Sequence, residues 1–177
     1  MAALRIVLLC IAAAVAYGLV HDQVTVRVCL AYFSEFHPPL VATHDPTLLA
    51  LAWGVVATWW VGAGLGLLLA LAARAGARPV LGARDLVRPV LRLLALMAGA
   101  ALALGLVGAA LAQAGTIWVA APWDVRIPRE QHVGFLACLW AHNASYGVGF
   151  VGGAVLALRT WRRRGRLAAA PQVASGA

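Results

Sequence analysis

The chain has 177 residues, 63% of them hydrophobic and 11% charged, and carries a formal net charge of +8. A soluble domain carries about 25% charged residues, so too little polar surface exists here to cover a globule in water, and lipid is expected to be the solvent. The charge excess does not imply a nucleic-acid partner: all 14 basic residues are Arg, they flank apolar spans, and no basic patch alternates with stacking aromatics.

Taken in chain order, the sequence predicts four apolar spans. The first begins after Arg5, the second covers about 48–73, the third about 93–117 and the fourth about 133–158. Each of the last three exceeds the ~20 residues that cross ~30 Å of hydrocarbon as helix. Helix is required, because an open strand would leave backbone groups unpaired in lipid. The expected fold class is an all-α membrane protein with four transmembrane helices, a single domain over 1–166. An Ala-rich cytoplasmic tail with Pro171, residues 167–177, is expected to be disordered. Arg5, the apolar run from Ile6 to Ala13 and Ala14-Val15-Ala16 also resemble a signal peptide with its cleavage site, which would leave three spans in the same orientation.

The arginines orient the chain. Arg5, the loop with Arg74, Arg78, Arg84, Arg88 and Arg92, and the tail with Arg159, Arg162, Arg163, Arg164 and Arg166 share one side, against one acid, Asp85. The other side holds Arg27, Arg126 and Arg129 against Asp22, Glu35, Asp45, Asp124 and Glu130. The positive-inside rule places both termini of this multi-pass protein in the cytoplasm. Trp118 and Trp123 are expected at the outer interface, and the basic tail is expected to rest on anionic headgroups. A further membrane-protein partner or a second copy of the chain remains open. Cys10, Cys29 and Cys138 form no CxxC and read as small buried hydrophobes.

Shifted by 87 residues, the chain aligns with itself without a gap. Arg5, Ala13, Gly18 and Leu19 match Arg92, Ala100, Gly105 and Leu106, and Trp53, Gly62, Gly66 and Leu69 match Trp140, Gly149, Gly153 and Leu156. Residues 21–48 carry no identity at this offset. The alignment predicts two parallel helical hairpins, about 4–73 and 91–160, related by a pseudo-twofold along the membrane normal. It also makes span one a full helix, against the signal-peptide alternative. Gly62 and Gly66, Gly149 and Gly153, and the stripe with Gly105 and Gly108 are expected to let helix backbones approach closely.

The duplication predicts where polarity is buried. If span one continues to about Leu30, His21 lies about nine residues from its outer end, as His142 does in span four. Both then sit roughly 14 Å deep. His21-Asp22-Gln23 and His142-Asn143-Ala144-Ser145-Tyr146 thus bring polar groups to similar height, where they face a bundle interior or a wet cavity. His21, Asp22 and His142 are expected to meet, although Asp22 points about 100° from the His21 face. The alternating Val24-Thr25-Val26-Arg27-Val28 leaves open a span ending near Val20, with a strand beyond.

The outer loops add Glu35, His37, His44 and His132, with Asp45 and Pro46 at the start of span two. A divalent metal could be assembled from His21, Glu35, His37, His44, His132 and His142, but no HExxH or HxxxH spacing is present. A Ser145/His142/Asp22 triad lacks a nucleophile elbow. The Asn143-Ala144-Ser145 sequon falls inside a span.

From His21 to Pro39 the string HDQVTVRVCLAYFSEFHPP resembles a group of uncharacterised bacterial multi-pass membrane proteins. The resemblance extends through span two into span four and implies a bacterial inner membrane, but no activity. Two functional readings stand on the sequence. The first is a non-enzymatic accessory or scaffold component whose buried polar groups specify packing. The alternative is a metal- or proton-handling protein, or a membrane-embedded enzyme using the His/Asp cluster near the outer leaflet.

Overall fold

A computed structural model describes residues 1–169 and is all-helical over them. Helix α1 runs unbroken over Ala2–Val28. The alternating stretch 24–28 is therefore helix rather than strand, as a lipid solvent requires, and the helix stops two residues short of Leu30. A single turn, α2, follows at Ala31–Ser34. Asp45 caps α3 (Pro46–Val56) by accepting a 2.8 Å bond from the Leu48 N–H, with Pro46 at its first position.

The expected second span is two helices rather than one. α3 ends at Ala57 and α4 covers Trp59–Arg74. At the break the Thr58 hydroxyl donates back to the Gly54 carbonyl, in place of a clean helical ladder. The Ala57 carbonyl accepts instead from the Tyr146 hydroxyl at 3.4 Å. α5 (Ala83–Gln113) begins ten residues before the expected Leu93, with Asp85 accepting from the Gly82 N–H at 2.9 Å. After α6 (Trp123–Arg126) and a 3-10 turn at Arg129–Gln131, α7 covers His132–Ala169. It runs three residues into the tail expected to be disordered; the rest of that tail lies outside the described residues.

Three stretches are long and apolar enough to cross a bilayer: Ala2–Val28, Pro46–Arg74 and Ala83–Gln113. Their outward faces carry residues such as Leu102 and Leu106, 67% and 63% exposed, which suit lipid and not water. These features make the chain a membrane protein. α7 has 38 residues, but its apolar run is interrupted by His142, Asn143, Ser145 and Tyr146.

The helices pack as two antiparallel hairpins, α1 against α3–α4 and α5 against α7. In the first, a Cβ on Gly18 would strike the Gly54 carbonyl, and one on Gly62 would strike the Cys10 carbonyl. In the second, Gly105 backs onto the Ala137 carbonyl and Ala141, and Gly108 onto Trp140. Gly66 lies on the Val7 backbone. Gly149 and Gly153 instead receive the side chains of Met97 and Leu65. α4 and α7 run side by side, Leu65 on Gly153 and Ala72 beside Arg164.

Arg164 departs from the expected lipid-facing tail. It is fully buried and donates to the carbonyls of Pro79, Ala72 and Arg78 at 2.7, 3.0 and 2.9 Å. These acceptors end α4 and form the following loop, where, among the described residues, no backbone N–H reaches them in place of those a continuing helix would supply. Arg163, by contrast, is exposed and lies 3.5 Å from Asp85.

At the opposite end an aromatic cap covers the bundle. Tyr32, Phe33, Val26, Phe135 and Ile127 share one buried cluster. The Gln131 side chain holds it down by accepting from the Ala31 N–H at 3.2 Å.

Candidate functional site

The site lies beneath that cap, between α1 and α7. His21 is seven residues, about 10 Å, from the C-terminal end of α1. One helical turn sets the neighbours. His21 stacks on Tyr17 with centroids 5.6 Å apart, and its ring meets that of His142 edge-on at 4.5 Å. Asp22, buried, reaches the same place from the adjacent face, and its Oδ1 lies 3.3 Å from His142 Nε2. The ring of His142 inserts where it can meet both, which is how residues 100° apart on one helix share a partner. One ligand atom from each of the three lies within 4.8 Å of the others.

The hydrogen positions follow from the partners. His142 Nδ1 is 2.8 Å from the Cys138 carbonyl, which can only accept, so Nδ1 carries a hydrogen. In a neutral ring Nε2 then presents a lone pair to a carboxylate oxygen. That contact is repulsive unless a proton or a metal ion lies between them. His21 Nε2 is buried and has no hydrogen-bond partner among the described residues. The Trp53 indole N–H is in the same condition. An orphaned buried polar atom is costly, and two of them line one cavity with the His/Asp cluster.

The remaining expected residues divide. Ser145 is buried, but its hydroxyl pairs with the Tyr17 hydroxyl at 2.7 Å and not with His142, which removes the triad reading. Tyr146 lines the cavity. Gln23 turns away, donating to the Thr47 carbonyl and accepting from Arg27, and Asn143 lies on the exposed face of α7. Of the outer-loop candidates, His37 lines the cavity with its Nδ1 donating to the Tyr32 carbonyl at 2.6 Å. Burial holds its ring below the ordinary imidazole range, against the opposing pull of that carbonyl bond. Glu35 and His44 are exposed and do not join the cluster, and His132 is engaged by the Ile127 carbonyl at 2.9 Å. Of the six expected metal ligands, the structure brings His21 and His142 together, with Asp22.

Sequence reasoning missed Tyr17, Tyr32 and Trp53. Tyr17 stood one turn before His21 and carried a readable signal. Tyr32 did not: the chain reverses after Cys29 and lays its ring 4.6 Å from that of His142, a tertiary event.

Fold and site together define a helical membrane protein with an imidazole–carboxylate cluster buried between two hairpins. Comparison of the chain with protein-family models, with curated proteins and with solved structures finds no match.

Proposed function

We propose that the chain is a four-span, multi-pass protein of a bacterial inner membrane whose His21, Asp22 and His142 hold a divalent transition-metal ion. One observation carries this reading: His142 Nε2 faces Asp22 Oδ1 at 3.3 Å while Nδ1 donates to a backbone carbonyl. Two atoms bound tetrahedrally to zinc at ~2.0–2.1 Å lie about 3.4 Å apart. A ligating imidazole that donates its other N–H to a carbonyl is the usual support for such an ion. The unpartnered His21 Nε2 supplies a third donor. Two imidazoles and a carboxylate leave a further coordination position toward the cavity. The scaffold reading explains the hydrogen-bonded residues but leaves His21 Nε2 and Trp53 Nε1 without a role.

The topology of this proposal rests on the arginine asymmetry, with both termini cytoplasmic and the cluster toward the outer leaflet. The two-hairpin repeat is supported by packing pairs that recur at the same offset of 87: Gly18 with Gly54 and Gly105 with Ala141, Cys10 with Gly62 and Met97 with Gly149. Anionic headgroups are the proposed contact of the exposed Arg159, Arg162, Arg163 and Arg166.

Metal analysis of protein purified in detergent tests the site. The expected result is one zinc or cobalt ion per chain, lost in His142→Ala and His21→Ala. A wild-type protein that takes up no metal, with both variants folded, would return the chain to the scaffold class.

A further inference from the structure

The cavity does not stop at the metal ligands. On α1 it is lined from Asp22 back to Cys10, and on α7 from His142 forward to Leu156. At 1.5 Å per residue it runs about 18 Å along α1, slightly more than half of the ~30 Å hydrocarbon core, the reach of one lipid tail. The space within which the centre of a water molecule can move inside it is about 140 Å³. The polar groups lie toward one end: the His/Asp cluster, His37 and the Trp53 N–H, which has no partner among the described residues, followed by Tyr17, Ser145, Thr58 and Tyr146, whose hydroxyls are already hydrogen-bonded. The rest is a sleeve of Ala13, Leu65, Leu69, Val90, Leu94 and Met97.

The charges also constrain the occupant. Among the described residues no Arg or Glu lines this cavity, and Asp22 is the only acid that does. A divalent ion held by Asp22 and two neutral imidazoles leaves one positive charge in a site poor in water. Buried net charge is costly unless paired. An occupant bearing a single negative oxygen group removes that charge, and Trp53 Nε1 offers a hydrogen-bond donor. A single apolar chain behind it fills the sleeve.

We infer that the cavity binds a long-chain carboxylate, its carboxyl oxygen toward the His21–Asp22–His142 ion and Trp53, its tail in the sleeve between the hairpins. This rests on the metal reading above, and the experiment separates the two. Protein loaded with Co²⁺ in nanodiscs is titrated with palmitate, with acetate and with lysophosphatidate, following the visible Co²⁺ bands. Palmitate is expected to shift the bands saturably at a concentration more than about a hundredfold below acetate, since each buried methylene adds to binding.

Ala13→Phe and Leu94→Trp are expected to keep one Co²⁺ per chain, which reports an intact fold, while raising the palmitate half-saturation about tenfold or more by filling the sleeve. Stoichiometric Co²⁺ with bands indifferent to palmitate overturns this inference and leaves the metal site standing. So does equal potency of acetate and palmitate, which would mean that no tail is bound. Lysophosphatidate acting where palmitate is silent overturns the carboxylate assignment. Failure to take up Co²⁺ at all removes both readings together.

Discussion

The His142 imidazole lies 3.3 Å from the Asp22 carboxylate across 120 residues of chain, with its other nitrogen fixed by the Cys138 carbonyl 2.8 Å away. The ring therefore has no freedom to offer Asp22 a different atom, and the two residues act as a unit. Substituting one partner leaves the other buried and uncompensated, whereas substituting both removes the problem. A double-mutant cycle of Asp22→Asn and His142→Gln in metal-free protein is expected to give a coupling energy of about 1–3 kcal/mol. Additive effects on denaturation would mean that the two groups do not interact.

Arg164 predicts a stability effect at the far end of the bundle. Its guanidinium serves three carbonyls that have no other donor among the described residues. Arg164→Met removes a buried charge but strands those acceptors, with an expected net loss of about 2–3 kcal/mol. Arg164→Lys recovers only part, because an ammonium lacks the planar fork that reaches all three. Thermal unfolding in detergent, with Arg163→Met as the exposed control, measures it. Equal melting temperatures for the two Met variants would count against a locking role.

Glycine substitutions test the helix approaches. A Cβ at Gly54 would lie 2.8 Å from the Leu19 nitrogen and 2.9 Å from its Cα, both backbone atoms that cannot yield without moving the helix. Gly64, on the same rod, has nothing within 4 Å. Gly54→Ala is expected to destabilise by about 1–3 kcal/mol, while Gly64→Ala is neutral or stabilises by up to ~1 kcal/mol through helix propensity. The comparison is read from denaturant or thermal midpoints of the two variants side by side, and a reversed order refutes the packing.

Asp45→Ala should cost about 1 kcal/mol by removing the cap on α3. Because α3 supports Trp53 and not the cluster itself, metal stoichiometry is expected to stay at the wild-type value. Loss of metal in Asp45→Ala would show that the cap and the cluster are coupled more tightly than the geometry describes.

Much of the architecture was readable because lipid leaves few options. Apolar run length and charge flanks mark α1, the α3–α4 rod and α5, and the cap at Asp45 and Pro46 marks a helix start without help from packing. The meeting of His21 with His142 was also accessible, since counting residues along each helix gives both a height. The break at Thr58 was not: a hydroxyl that bonds back to Gly54 and a carbonyl that accepts from Tyr146 depend on what lies alongside. The same limit explains why Asn143 and Gln23, adjacent in sequence to cluster residues, point elsewhere.

What the amino-acid order determined by itself is one-dimensional: which stretches avoid water, which way the arginines sort, and how far along each helix a polar group stands. Rise per residue converts such counts directly into depth. Azimuth is different, because side chains step around the axis by 100° per residue and only a neighbouring helix gives that angle meaning. Tertiary packing alone decided that Arg164 turns inward, that Asp22 joins His142 although it leaves the His21 face, and that Tyr32 folds back over both.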